Sequence, residues 1–269
     1  MRYYLSIGAI FKNEANSIEE WLKHYIKRGV DHFYLINDHS TDNFLNIIEP
    51  YKNFITLFDF DKTTDIYIKG GRQSRAYHKC FSPVLKESKW FLICDLDEYV
   101  WCPNTFCLKK ELETLGDRYD CVHLVGPNFG SNDHKTQPRE IVNSFCRRQI
   151  LESDVEYVSE YNIHTFSEPM TKQMVKSESL EFFGIHTHIL KEKSKILNER
   201  NMPVNECKFR LNHYMTQSEE RWRNNLKKTD VASIPLEKRP RTSMEQFYIL
   251  NKSYNIVEDR DLINQNNNI

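Results

Sequence analysis

Apolar and polar positions alternate between two periods along the first hundred residues. Residues 3–10, YYLSIGAI, are rich in β-branched and aromatic side chains and predict a strand. Ile18, Trp21, Leu22, Tyr25 and Ile26 then recur at helical spacing, behind a capping-box pattern Ser17-x-x-Glu20 and ahead of a stop at Gly29. The same reasoning predicts a strand at 32–36, a short helix at 44–48, a strand at 55–60, and a helix over most of 71–86 with a break near Pro83. The unbroken run Trp90-Phe91-Leu92-Ile93-Cys94 suits a strand buried on both faces of a parallel sheet. Such alternation predicts right-handed βαβ units and an α/β fold with a doubly wound, mostly parallel sheet. Ligands of such sheets bind beyond the carboxyl ends of the strands, where strand order reverses. The loops at 11–14, 37–42 and 95–99 therefore matter most. After Val100 the rhythm breaks into short strands, long loops and isolated helices. One helix is expected at 218–228 and another behind Ser243-x-x-Gln246, carrying Phe247 and Leu250, while the low-complexity tail 264–269 is expected to be disordered.

Composition narrows the classes. The 269 residues carry 37 Lys plus Arg against 38 Asp plus Glu, a balance that excludes the broad basic footprint of a dedicated nucleic-acid binder. Only 8 glycines exclude a Gly-rich architecture, and no apolar run approaches the ~20 residues of a membrane span. The first ten residues are too short and mixed for a signal peptide, so a cytoplasmic protein without an anchor is expected. Seven scattered cysteines suggest reduced thiols; Cys102 and Cys107 lack a second ligand pair at a zinc-site spacing.

Candidate chemistry gathers at the strand ends. Asp95-Leu96-Asp97-Glu98 follows the buried run; on an extended chain Asp95 and Asp97 point to one side, and a hard divalent ion, Mn²⁺ or Mg²⁺, relieves their repulsion. Phe11-Lys12-Asn13-Glu14 offers groups to frame a nucleobase edge. In Asn37-Asp38-His39-Ser40-Thr41-Asp42, Asp38 is placed to accept from a base or ribose, and an Asx turn with a helix cap accounts for the same residues. Lys69-Gly70-Gly71-Arg72-Gln73-Ser74-Arg75 suits a diphosphate or simply a basic surface loop. His186 and His188 share one face if 182–190 is a strand, and His213 sits in Leu211-Asn212-His213-Tyr214; each is either a ligand completing a metal shell or a satisfied core histidine.

Five segments carry a family resemblance: FKNEANSIEEWLKHYIKRGVDHFYLINDHSTDN at 11–43, QSRAYHKC at 73–80, WFLICDLDEY at 90–99, NFGSNDH at 128–134 and LNHY at 211–214. In this order they resemble glycosyltransferase family 92 and its relatives among family 2-like enzymes, which share the Rossmann-like GT-A fold. The resemblance implies a metal-dependent, hexosyltransferase-like, inverting enzyme with Mn²⁺ or Mg²⁺ as cofactor. Its donor would be a nucleotide-sugar, a UDP-sugar by preference, and its acceptor a hydroxyl of a glycan, glycoprotein, lipid-linked or other molecule. Residues 1–100 would form the nucleotide-sugar half and 101–263 the irregular acceptor-side half of one domain. Carried over by position, Lys12, Asn13, Glu14 and Asp38 would surround the nucleotide, with Gln73 and Arg75 nearby. Asp95 and Asp97 would hold ribose, metal and diphosphate, completed by His186, slightly preferred, or His213. The loop 129–134 would face sugar and acceptor, with Asp133 the first choice of general base before Glu98 and His134.

Two departures fall on the acceptor or diphosphate side. Family members tend to read F-G-S-S-G-H where Asn132-Asp133 precede His134 here, and a Lys-Ser pair often follows L-N-H-Y where Gln217-Ser218 stand. Two rivals remain. A sugar nucleotidyltransferase would need a Gly-rich phosphate loop that 11–14 does not supply. A non-catalytic nucleotide-sugar or glycan-binding protein is opposed by the presence of both Asp95 and Asp97.

Overall fold

The expected βα alternation forms in order: β1 (Tyr3–Phe11), α1 (Ile18–Lys27), β2 (His32–Asn37), α2 (Phe44–Ile48), β3 (Ile55–Asp59), α3 (Gly71–Phe81) and β4 (Ser88–Ile93). This is a computed structural model, and its described residues are 1–60, 71–154, 168–199, 202–203, 206–227 and 243–268. Beyond β4 come β5 (Glu98–Trp101), α4 (Leu108–Leu115), β6 (Cys121–Gly126), α5 (Ile141–Ser144), β7 (Arg147–Arg148) and β8 (Met170–Lys176). The remainder comprises β9 (Leu180–Phe182), β10 (Ile189–Leu190), β11 (Ile196–Asn198), β12 (Arg210–His213), α6 (Glu219–Lys227), α7 (Met244–Tyr254), β13 (Val257–Glu258) and α8 (Asp261–Asn267).

A seven-stranded sheet runs β11-β6-β8-β4-β1-β2-β3. β1 pairs parallel with β2 and β4, β2 with β3, and β6 with β11; β8 alone is antiparallel, inserted between β4 and β6. The doubly wound, mostly parallel sheet expected of the GT-A class is therefore present, and strands after Val100 complete it. Both faces are covered. Phe33, Leu35, Trp90 and Leu92 pack with Trp21, Leu22 and Tyr25 of α1, while Tyr34, Ile36, Phe91 and Ile93 pack with Tyr77 and Phe81 of α3. Burial on two faces is why β4 reads as an unbroken apolar run. β5 and β12 form a separate antiparallel ribbon against this sheet.

Three expectations are corrected. Ser17 sits at the N-cap of α1 but its side chain makes no capping bond, because its backbone is in the right-handed helical region (φ −110°, ψ −32°) rather than the extended one a capping serine uses; the backbone N–H groups of Ser17 and Ile18 donate to the Glu14 carbonyl. Glu20, freed from the capping box, accepts instead from Ile141 N–H (2.6 Å) and Val142 N–H (2.9 Å), anchoring the start of α5 across the molecule. The tail is helical where it is described: α8 covers Asp261–Asn267, and residue 269 lies outside the described residues. Its amides have a buried client, since the Arg28 guanidinium donates to Gln265 (3.1 Å) and Asn266 (2.8 Å), and Gln265 donates to the Cys102 carbonyl (2.7 Å). An Asn/Gln-rich segment is ordered here because a buried cation needs neutral oxygen acceptors. Lastly, 183–188 leaves the strand conformation between β9 and β10, so His186 and His188 do not share a strand face. The Ser243 cap does form, accepting from Gln246 N–H at 3.1 Å. No described helix is long and apolar enough to cross a membrane, and all seven cysteines are free.

The ribbon and sheet meet at Gly126, where a Cβ would overlap the Leu211 backbone carbonyl. Gly126→Ala must push β12 off β6, and we expect it to destabilise the protein by at least about 3 kcal/mol in chemical denaturation. A loss below about 1 kcal/mol would show that the two elements do not need this approach.

Candidate functional site

Strand order reverses between β1 and β4, so the crevice beyond their carboxyl ends is where a ligand is expected. The loops after β1 and β2 are lashed together there. Asn13, with φ +53°, donates from its backbone to Ser40 Oγ (2.9 Å) and accepts from Thr41 N–H (2.7 Å), while Ala15 N–H donates to Asp42 (2.8 Å). Asn37, not Asp38, closes the turn by its side chain, accepting from Ser40 N–H three residues on at 2.9 Å. Asp38 is fully buried, and both carboxylate oxygens accept from the Arg72 guanidinium. Burial alone would raise its pKa, but Arg72, His39 and the Lys12 charge together hold it below the ordinary carboxylate value. Glu14 pairs with Arg221 of α6, tying the first loop to the far end of the chain.

Residues 95–98 form a tight turn rather than an extended strand, which corrects the expected same-side placement of Asp95 and Asp97. The turn closes on itself: Glu98 N–H donates to the Asp95 carbonyl (3.1 Å), and Asp95 N–H donates to Glu98 Oε2 (2.8 Å). Asp95 and Asp97 then diverge. Asp95 Oδ2 lies 2.9 Å from Lys172 Nζ, which is also 3.2 Å from Glu98 Oε2. Asp97 Oδ1 lies 3.8 Å from His213 Nε2. Register explains both placements. β8 pairs Trp90 with Lys176 and Leu92 with Met174, so continuing that ladder sets Lys172 against Cys94, beside Asp95. In the ribbon, His213 stands directly opposite Glu98.

His213 has a fixed tautomer. Its Nδ1 is 2.7 Å from Asn128 Oδ1, and the Asn128 amide nitrogen donates to Gln149 Oε1 (2.7 Å), so Asn128 presents its oxygen and Nδ1 carries the proton. Nε2 faces Asp97, and an outer hydrogen bond of this kind at Nδ1 orients a histidine to meet a metal through its other nitrogen. Asp97, Glu98 and His213 each offer a ligand atom within 4.8 Å of one another, and they alone do so among the described residues. Glu98 is fully buried, and its Oε1 accepts no hydrogen bond from any described residue. Burial pushes its carboxyl up to about 8, opposed by Lys172 and reinforced by the Asp95 and Asp97 charges. Two carboxylates, one of them with an orphaned buried oxygen, and an imidazole fit Mn²⁺ or Mg²⁺, with the imidazole favouring Mn²⁺.

The other candidates scatter around this centre. Gln73 donates to the Tyr77 hydroxyl (2.6 Å), and Arg75 is half-buried on α3; Lys69 and Gly70 of the same cluster lie outside the described residues. His186 is exposed and outside the convergent trio, but it sits near Lys172 and Asp95, and partial burial followed by the Lys172 charge lowers its pKa. Asp133 is exposed and pairs with Arg147 (3.1 Å), and His134 Nε2 bonds the Ser144 carbonyl (3.1 Å). Sequence reasoning missed Lys172, Arg221 and Asn128. For Lys172 the one available signal was a lysine inside the β-like stretch Met170–Lys176.

His188 is structural. Its backbone N–H donates to Gln173 (2.6 Å), its Nδ1 accepts from Gly184 N–H (3.2 Å), and burial drives its pKa down to about 3. A depressed folded pKa contributes stability above the unfolded value near 6.5, and that contribution is lost as pH falls toward 3. We expect unfolding free energy to drop across this window by up to about 1.4 kcal/mol per pH unit from this group. His188→Gln should flatten the slope; an unchanged slope in denaturation at pH 7 and pH 4.5 would contradict the assignment.

The family model described as glycosyltransferase family 92 matches residues 2–247. A glycosyltransferase family 92 protein of Ricinus communis is 21% identical over 220 residues, covering 80% of this chain and 36% of that protein. The chain thus spans about a third of the length of the curated relative it matches. Among solved structures, Staphylococcus aureus TarS matches at 16% identity over 79% of this chain and 37% of that one, with a TM-score of 0.41. Glucosyl-3-phosphoglycerate synthase of Mycobacterium tuberculosis, solved with Mn²⁺ and UDP, matches at 11% identity over 66% and 58%, with a TM-score of 0.33.

Proposed function

Since the chain belongs to glycosyltransferase family 92, we propose that it moves a sugar from a nucleoside diphosphate donor to a hydroxyl acceptor, with inversion and with a divalent metal. The observation that carries this reading is the convergence of Asp97, Glu98 and His213 beside the loops at the β1/β4 switch point. Asp97, Glu98 and His213 would hold Mn²⁺ or Mg²⁺, which supplies charge neutralisation for the departing nucleoside diphosphate. UDP-sugars are the donors to test first, because the family implies them. Lys12, Asn13 and Asp38 border the nucleotide, Asp38 acting through the orientation that Arg72 fixes.

Inversion requires a base across the sugar ring from the leaving group. Of the three proposed bases, Glu98 is buried in the metal cluster and His134 bonds a backbone carbonyl, whereas the Asp133 side chain is 71% exposed. Asn132 and Asp133 both hold positive φ, +48° and +63°, where Asn and Asp are the residues best tolerated after glycine. The loop is pinned by Asn251, which accepts from Ser131 N–H (2.7 Å), and Asn255, which accepts from Asn132 N–H (2.9 Å). Asp133 is thereby displayed outward to take an acceptor proton.

Calorimetry with UDP, with and without Mn²⁺, tests the reading. We expect UDP to bind at least tenfold tighter with Mn²⁺, and Asn128→Ala to weaken Mn²⁺ by about 10–100-fold by freeing His213. Asp133→Asn should keep UDP binding and lose at least about 100-fold in turnover. Absence of metal-dependent UDP binding would remove the transferase proposal, and undiminished turnover in Asp133→Asn would remove only the base.

A further inference from the structure

Lys172 is a buried cation at this site. Its side chain is 1% exposed, and its Nζ lies 2.9 Å from Asp95 and 3.2 Å from Glu98. Burial works against its charge, yet Asp95 and Glu98 hold its pKa well above the usual lysine value. Its position is set by backbone pairing, since Lys172 stands opposite Leu124 of β6 and lies two residues beyond the last pair, Leu92 with Met174, that β8 makes with β4. Three carboxylates crowd the turn at 95–98, and the ammonium touches two of them.

We propose that Lys172 is a positioning residue that divides this acidic cluster into two jobs. It holds Asp95 away from the metal, oriented for the donor, and it engages one Glu98 oxygen so that Asp97, His213 and the other Glu98 oxygen are left as the metal-binding set. Two observations carry this. Asp95 stands outside the convergent trio although it is only two residues from Asp97, and the Glu98 oxygen that Lys172 does not touch is the one without a hydrogen-bond partner among the described residues. The ammonium also offsets one negative charge beside the metal site. It therefore lowers the attraction for free metal while keeping Asp95 available to the nucleotide.

This inference rests on the transferase reading and its metal site, and it makes a prediction that a purely structural lysine does not. Removing a positive charge next to a cation site strengthens cation binding, and releasing Asp95 lets it collapse onto the metal. Lys172→Met should bind Mn²⁺ alone about tenfold more tightly than the wild type while kcat/KM with a UDP-sugar falls about 100-fold. Lys172→Arg should restore most of the turnover.

The test is Mn²⁺ titration by electron paramagnetic resonance, with steady-state kinetics, on wild type, Lys172→Met, Lys172→Arg, Asp95→Asn and the Asp95→Asn/Lys172→Met double variant. The double variant removes one charge of each sign, and so supplies a folded comparison if Lys172→Met does not fold. Because Lys172 acts through Asp95, the double variant should turn over as fast as Asp95→Asn alone and bind Mn²⁺ within about threefold of the wild type. Parallel loss of Mn²⁺ affinity and turnover in folded Lys172→Met would overturn the proposal. So would a further large loss of turnover in the double variant. Failure of the wild type to bind Mn²⁺ would instead remove the metal site on which both readings stand.

Discussion

A buried ammonium must be paired, and the pairing of Lys172 with Asp95 and Glu98 constrains everything at the carboxyl end of β4. An uncompensated charge at that depth would cost several kcal/mol, so the turn 95–98 cannot open into an extended strand without stranding the lysine. The turn in turn sets the start of β5, and β5 carries β12 as its ribbon partner. His213 arrives opposite Glu98 as a consequence of that register rather than of any local preference. One ion-pair cluster therefore couples the central sheet, the ribbon and the candidate metal ligands.

The strand inserted against the grain makes this possible. In a wholly parallel sheet every strand delivers its carboxyl end to the ligand crevice, and the residues there come from loops. β8 runs the other way between β4 and β6, so its amino-terminal portion, with Lys172, lies at the crevice edge. A rigid strand, paired to β6 at Lys172 itself, holds a charged side chain more firmly than a loop does. The same economy appears in the loops that close the site. Glu14 reaches Arg221, Asp38 reaches Arg72, and Arg28 reaches the amides of α8, so each buried or half-buried charge stitches distant segments together.

Local periodicity revealed the first half of the fold because burial there follows the strand and helix repeats. β1, β2, β4 and α1 form where the apolar positions placed them, within a residue or two. The candidate site was legible only in part. Asp97, Glu98 and His213 were marked by residue type and by family resemblance, but the separation of Asp95 from Asp97 depends on a turn that a two-residue spacing does not encode. Lys172 was hidden because its partners lie 77 and 74 positions away in sequence, beyond any periodic signal. The capping box misled for a related reason: Glu20 matches a local motif, yet its carboxylate satisfies α5 from across the chain. The amide-rich tail misled because composition reports hydrophobic content and not the buried Arg28 that those amides serve.

The proposed division of labour among neighbouring carboxylates is directly visible by diffraction. Crystals soaked with Mn²⁺ and UDP, measured at a wavelength where manganese scatters anomalously, locate the ion without reference to the protein phases. One manganese peak is expected, bonded to Asp97, Glu98 Oε1 and His213 Nε2, with Asp95 still on Lys172. A manganese ion bridged by Asp95 and Asp97, with Lys172 turned away and His213 outside bonding distance, would contradict it.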